Sequence, residues 1–101
     1  MAKSQEKLES ATTLLKLLSH PVRLSILCNL LHNGEMNVSE IVAAEDGAAG
    51  QSQISQFLAK MRSEDLVDSR KEAQTVYYRI KSPEAKKVVA SVYEIYCGKR
   101  K

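Results

Sequence analysis

Asn37-Val38-Ser39-Glu40-Ile41-Val42-Ala43-Ala44-Glu45-Asp46-Gly47-Ala48-Ala49-Gly50-Gln51-Ser52-Gln53-Ile54-Ser55-Gln56-Phe57-Leu58-Ala59-Lys60-Met61-Arg62 is the stretch on which the reading of this chain turns. Asn37 with Glu40 three positions later has the pattern of a capping box, and Val38, Ile41 and Val42 supply the apolar side of a short helix. Glu45-Asp46-Gly47 closes that helix, and Gly47 and Gly50 bracket a turn of small residues. From Gln51 onward Ile54, Phe57, Leu58 and Met61 return at helical spacing, which predicts a second helix with those four side chains facing inward.

Beyond Leu66 the period changes from helical to alternating. Val76, Tyr78 and Ile80 alternate with Tyr77, Arg79 and Lys81, as in a strand with one wet face, and Leu66, Val67 and Arg70 begin its partner. The connection, roughly residues 71–74, lacks Asn-Gly or Asp-Gly, so the expectation is a longer hairpin loop, not a tight two-residue turn. Helix, turn, helix and hairpin in that order predict a winged helix-turn-helix.

Working outward, Leu8, Ala11, Leu14, Leu15 and Leu18 form the stripe of a first helix, broken by Ser19-His20-Pro21. Pro21 suits the first position of a new helix, on which Leu24, Leu27, Cys28 and Leu31 repeat; Asn33-Gly34 ends it with a glycine cap. Ser82-Pro83 opens a last helix with the apolar stripe Ala85, Val88, Val89, Val92, Tyr93 and Tyr96. The predicted fold is thus mainly α with a β-hairpin, in the order ααααββα, as one domain over residues 1–101. Its first and last helices carry more apolar surface than the winged core can cover, which predicts a homodimer formed through them.

A hydrophobic fraction of 44% and a charged fraction of 27% are those of a folded soluble protein, and no apolar run approaches the ~20 residues needed to span a bilayer. The start, Met1-Ala2-Lys3-Ser4-Gln5-Glu6-Lys7, has no apolar stretch behind its lysines, so the expected location is the cytoplasm, with no membrane partner. Net charge is +3, or 2 × 3 = +6 for a dimer, which favours an anionic partner weakly by itself. The distribution says more: Lys60 and Arg62 fall on the second motif helix, Arg70, Lys71, Arg79 and Lys81 in the hairpin, and Lys99, Arg100 and Lys101 at the end.

The outer side of the helix from Gln51 holds Gln51, Ser52, Ser55, Gln56 and Ala59, with Gln53 and Lys60 at its edges. Glutamine can bridge N6 and N7 of adenine, serine can donate or accept at several base edges, and an alanine methyl can meet thymine. The helix start also directs unpaired N–H groups at phosphate. Operator DNA is therefore the expected partner. Its candidate contacts are Gln51, Ser52, Gln53, Ser55, Gln56 and Lys60 on the helix, with Arg70, Lys71, Thr75 and Tyr77 on the hairpin. Tyr78 and Phe57 read as packing residues.

The cysteines Cys28 and Cys97 stand 97 − 28 = 69 positions apart, which excludes a CxxC redox motif and a zinc ribbon. His20 and His32 belong to no matched ligand set, so neither a metal nor any other cofactor is expected. A thiol enzyme working through Cys97 would need a histidine or acid placed to activate the sulfur, and none is evident. A winged helix that binds protein in place of DNA remains a rival, and steep salt dependence of duplex affinity would discriminate against it.

Taken together, Leu17-Leu18-Ser19-His20-Pro21-Val22-Arg23-Leu24-Ser25-Ile26-Leu27, then Gln51-Ser52-Gln53-Ile54-Ser55-Gln56-Phe57-Leu58-Ala59-Lys60-Met61-Arg62, then Leu66-Val67 with Tyr77-Tyr78-Arg79-Ile80, resemble the ArsR/SmtB family of small dimeric winged-helix repressors over nearly the whole chain. The resemblance implies that residues 51–63 enter the major groove, that the hairpin is the wing, and that the first and last helices make the dimer. Two departures are Phe57, where many members have histidine, and the longer turn at residues 45–50. The family's metal-sensing cysteine pair and acidic or histidine clusters are missing here. The pairing of Cys28 within Ile26-Leu27-Cys28 with Cys97 within Tyr93-Glu94-Ile95-Tyr96-Cys97 is similar to the BigR/HlyU/SqrR-type branch, which includes regulators of virulence genes, and its HlyU-like members most of all through the wing. That likeness implies a dithiol responding to persulfides, polysulfides or oxidants. Cys28 alone reads as a small hydrophobe on an apolar stripe, and Cys97 as an exposed thiol beside basic residues. The alternative is a regulator without thiol sensing that acts as an activator-like antagonist of another DNA-binding protein.

Overall fold

In a computed structural model, which describes residues 2–97, five helices surround a small antiparallel sheet. They are α1 (Ala2–Leu18), α2 (Pro21–Asn33), α3 (Val38–Glu45), α4 (Gln51–Ser63) and α5 (Pro83–Tyr96); the strands are β1 (Met36–Asn37), β2 (Val67–Glu72) and β3 (Thr75–Ile80). Gly98 to Lys101, including the expected basic end, lie outside the described residues.

Local chemistry explains most of the boundaries. The axes of α1 and α2 meet at 100°, and Pro21 starts α2 where an N–H has no partner in any case. His20 caps that helix: the Val22 N–H donates to His20 Nδ1 at 3.1 Å. Gly34 then takes φ 86, a backbone angle that costs an L side chain, and its N–H donates to the Leu30 carbonyl. The capping box at α3 is complete. The Glu40 N–H donates to Asn37 Oδ1 at 2.8 Å and the Asn37 N–H to Glu40 Oε1 at 2.9 Å, a pair of bonds contributing ~1 kcal/mol. Ser82 caps α5 through the Ala85 N–H at 3.0 Å.

Sequence-level expectation and structure part in four places. Asn37 belongs to a third strand, β1, which pairs with β3 (Met36 opposite Tyr78, Asn37 opposite Tyr77), so the sheet order is β1-β3-β2 and not a lone hairpin. The hairpin turn is tight: Glu72 pairs with Thr75, leaving only Ala73 and Gln74 between the strands, with Ala73 at φ 56. The register of the ladder on either side outweighs the strain of a non-glycine residue there, which is why no glycine marks the turn. On α2 the fully buried residues are Ile26, Leu27 and Leu30, whereas Leu24, Cys28 and Leu31 are half-buried, because apolar residues occupy most of that helix's circumference. On β3, finally, Thr75, Val76, Tyr77 and Tyr78 are all half-buried, since the central strand is flanked on both sides and Arg70 covers Tyr77.

The core joins Leu17 and Leu18 of α1 to the inner faces of α2, α3, α4 and α5 and to Leu66, Val67 and Ile80 at the root of the hairpin. Ile54, Leu58 and Met61 of α4 are completely buried, each stabilising the fold by about 1.5 to 3 kcal/mol. They fix which side of α4 looks outward.

Candidate nucleic-acid interface

With Ile54, Leu58 and Met61 turned inward, Gln51, Ser52, Gln53, Ser55, Gln56, Ala59 and Lys60 are exposed on the opposite side of α4. Gln51, Ser52, Ser55, Gln56 and Ala59 line one shallow depression. Among the described residues the side chains of Gln51, Ser52, Gln53, Ser55 and Gln56 take no part in hydrogen bonds, so their donors and acceptors are open to an incoming base edge. Gly50 occupies the N-cap without a side chain to close the first-turn N–H groups. Lys60 meets Glu64 at 3.6 Å across one exposed turn, a weak pair that a phosphate can displace.

The wing offers fewer free cations than its sequence suggests. Arg70 donates through Nε to Glu35 Oε2 at 2.8 Å, through Nη2 to Glu35 Oε1 at 2.9 Å and through Nη1 to Glu72 Oε1 at 2.7 Å. Its guanidinium also lies 4.8 Å over the Tyr77 ring, on the strand position directly opposite. That bonding holds the Glu35 carboxyl below the usual carboxylate range and raises the already high Arg70 pKa. Arg79 pairs with Asp68 at 3.6 Å and Lys81 with Asp65 at 3.2 Å. By register Arg70, Thr75 and Tyr77 share one face of the hairpin while Lys71 leaves from the other, near the tip, exposed and with no ion pair among the described residues. Arg70 thus braces the wing root against the segment before α3, and Lys71 is the hairpin's open cation.

The cysteines occupy helices that pack against one another. Cys28 is half-buried on α2; Cys97 caps α5, exposed, its N–H donating to the Tyr93 carbonyl at 2.7 Å. Burial pushes the Cys28 thiol up from its ordinary 9.0, with Cys97 and then Glu45 contributing in the same direction. Among the described residues no group of three or more His, Cys, Asp or Glu side chains gathers as a metal site would. No single helix there is long and apolar enough to cross a membrane.

Residues 20–69 match the model of the bacterial regulatory protein arsR family. Over 97 residues the chain is 38% identical to the HTH-type transcriptional regulator YgaV of Escherichia coli, covering 96% of each. The chain belongs to the ArsR family. Reduced HlyU from Vibrio cholerae has the same fold, with a TM-score of 0.86 and 38% identity, over 96% of this chain and 99% of that one. A homodimeric winged helix-turn-helix DNA-binding domain from Mycobacterium bovis matches with a TM-score of 0.79 and 27% identity, over 94% of this chain and 85% of that one. This ArsR-family protein is accordingly a winged-helix DNA-binding transcriptional regulator and not an enzyme.

Two features of this ArsR-family chain come from contacts distant in sequence. Phe57 sits beneath His20, with ring centroids 4.7 Å apart, and beneath Arg23, whose guanidinium carbon is 5.4 Å from its centroid. Arg23 also donates to the Leu17 carbonyl at 2.8 Å, so one side chain links α1, α2 and α4. The second feature has no counterpart in the sequence pattern. Glu45, the last residue of α3 and only 7% exposed, accepts from Ser25 Oγ at 2.9 Å and from Asn29 Nδ2 at 3.0 Å. Only Ser25 and Asn29, one turn apart among the apolar residues of α2, could have hinted at it.

Proposed function

We propose that this regulator is a cytoplasmic homodimeric repressor that reads its operator through α4 and loosens its grip when Cys28 and Cys97 are bridged. Dimerisation is supported by large apolar side chains left open on α1 and α5, with Leu8 65%, Leu15 56%, Ile95 65% and Tyr96 80% exposed, and by the homodimeric neighbour. A two-fold dimer presents its reading helices to half-sites about one DNA turn, ~34 Å, apart. Base edges meet Gln51, Ser52, Gln53, Ser55 and Gln56; phosphates meet Lys60, Lys71, Thr75 and Tyr77, while Arg70 reaches a phosphate only by leaving its carboxylates.

What supports the switch is an exposed thiol at the end of α5 and a half-buried one on α2, the helix against which α5 packs. The Cys97 thiolate attacks the outer sulfur of a persulfide, RSSH; the RS–S bond breaks, RSH leaves, and Cys97 becomes a persulfide. The Cys28 thiolate then attacks the Cys97 Sγ and expels hydrosulfide, closing an Sγ–Sγ bond. Two thiols have together lost two electrons, which reduce RSSH to RSH and hydrosulfide. A direct bridge requires Cα atoms within ~7 Å, and additional sulfur atoms relax that limit. The bridge shifts α5 against α2 and so changes the dimer seam and the half-site spacing.

The test uses a duplex selected from a random-sequence pool by the reduced protein. Cys28→Ser and Cys97→Ser variants should bind it like the parent, yet lose the fall in affinity that glutathione persulfide produces. A single-cysteine variant that still responds refutes the dithiol.

A further inference from the structure

Glu45 is the buried charged-type residue among the described ones, and it bonds to another helix. It ends α3, is buried, and accepts two hydrogen bonds from α2, with no ion pair among the described residues. A buried side chain tied to another helix by two hydrogen bonds fixes a geometry. The geometry is specific. Ser25 and Asn29 lie one turn apart on α2, and Cys28, three positions after Ser25, is a neighbour of Ser25 on the helix surface. Their shared acceptor, Oε2 of Glu45, ends α3, and residues 46–50 then lead directly into α4. That connector has little slack: Asp46 takes φ 51, Gly47 takes φ 90, and Ala49 is buried at 8% exposure. α2 packs on α3 and α3 on α4, so a rotation of α2 about its axis reaches the reading helix through this tie.

We propose that Glu45 is a positioning residue: its bonds to Ser25 and Asn29 hold α4 at the angle DNA requires, and they carry a change at Cys28 to that helix within one protomer. The second half rests on the dithiol reading given above; the first half does not. When Cys28 is drawn toward Cys97, α2 turns, the two donors leave Oε2, and the turn ahead of Gln51 relaxes.

Glu45→Met is of similar length and removes the polar tie, while Glu45→Gln keeps one carbonyl oxygen as the shared acceptor and replaces the other oxygen by NH2. The probes are the pool-selected duplex and a scrambled one of equal length, with the full chain reduced by a phosphine. Expected for Glu45→Met is a lower melting temperature, because Ser25 and Asn29 lose their acceptor, together with a fall of roughly tenfold in affinity for the selected duplex and unchanged affinity for the scrambled one. Glu45→Gln should restore binding to within about twofold. A role in stability alone would lower melting and leave the ratio of the two affinities intact. Parent-like discrimination by Glu45→Met overturns the proposal. If that variant does not fold, the Ser25→Ala, Asn29→Ala double variant decides by the same measurements.

Glutathione persulfide supplies the second arm by the exchange given above, with glutathione disulfide beside it, which leaves as two molecules of glutathione while the Sγ–Sγ bond forms. The resulting loss of affinity should be several-fold in the parent and less than twofold in Glu45→Met. Equal losses in both overturn the route while leaving the dithiol standing. No loss in the parent with glutathione disulfide or with glutathione persulfide removes the dithiol and the route together, and the reduced-state affinities then decide the positioning role alone.

Discussion

Replacing Gln56 by alanine isolates base reading from every other contribution to DNA binding. Gln56 lies in the middle of the exposed side of α4, one turn from Ser52 and three residues before Ala59, and its amide has no partner within the described protein. Truncation therefore removes no internal hydrogen bond, and alanine is the better helix former by a few tenths of a kcal/mol, so the melting temperature should hold or rise slightly. A bidentate glutamine–adenine contact contributes ~1 to 3 kcal/mol of discrimination. A two-fold dimer makes that contact twice, so the loss is about 2 to 6 kcal/mol, or roughly 30-fold and upward at 1.4 kcal/mol per tenfold. No charge is removed. The slope of log affinity against log salt should therefore stay as it is, whereas Lys60→Ala should lower it by ~0.9 for each phosphate that the lysine no longer neutralises. Fluorescence anisotropy on the selected and scrambled duplexes, titrated at several salt concentrations, reads all of these at once. Equal loss on both duplexes for Gln56→Ala would refute base recognition by this residue.

Ala73→Gly removes a left-handed backbone strain of ~1 to 2 kcal/mol, partly offset by ~0.4 to 1 kcal/mol of extra freedom in the unfolded chain. The expected result is a melting temperature a few degrees higher with DNA affinity unchanged; a lower melting temperature would contradict the turn geometry. Glu35→Gln tests the brace on the wing. The folded-state pKa of Glu35 is below its ordinary 4.5, so its pairing with Arg70 stabilises the fold fully above about that pH and is lost as pH falls through the lower folded value. The parent should therefore melt above the variant at about pH 6, where the unfolded carboxyl is also ionised, and the gap should close in more acidic buffer; a gap that widens on acidification contradicts the pairing.

Elements whose signals are local were legible from the residues alone. Asn37 and Glu40, Pro21, Ser82-Pro83 and Gly34 act within one helical turn of themselves, and the structure places a cap at each. The outer face of α4 was legible for a related reason: three buried residues at i, i+4 and i+7 leave only one side to face out. What escaped depends on partners far along the chain. β1 is two residues long and exists only because β3 lies beside it. Arg70 reads as a cation for DNA until Glu35, 35 positions earlier, is seen to hold it. Glu45 reads as a helix-ending surface acid, and its donors are 20 and 16 positions away. On α2 an apolar surface on nearly every side left periodicity without a unique answer, so the inner residues Ile26 and Leu30 were displaced by one register.

Asn37 serves two structures at once, as the final residue of β1 opposite Tyr77 and as the cap of α3. No linker intervenes, so the hairpin and the first motif helix form a single lever pivoting on that residue. A duplex pressing on the wing tip transmits torque directly to α3, and a groove too wide or too narrow is felt at both ends of the lever together. In the docking proposed above, misfit under the wing and misfit under α4 are geared, and operators should be graded by the shape of the whole segment as well as by the letters beneath Gln51–Ser63.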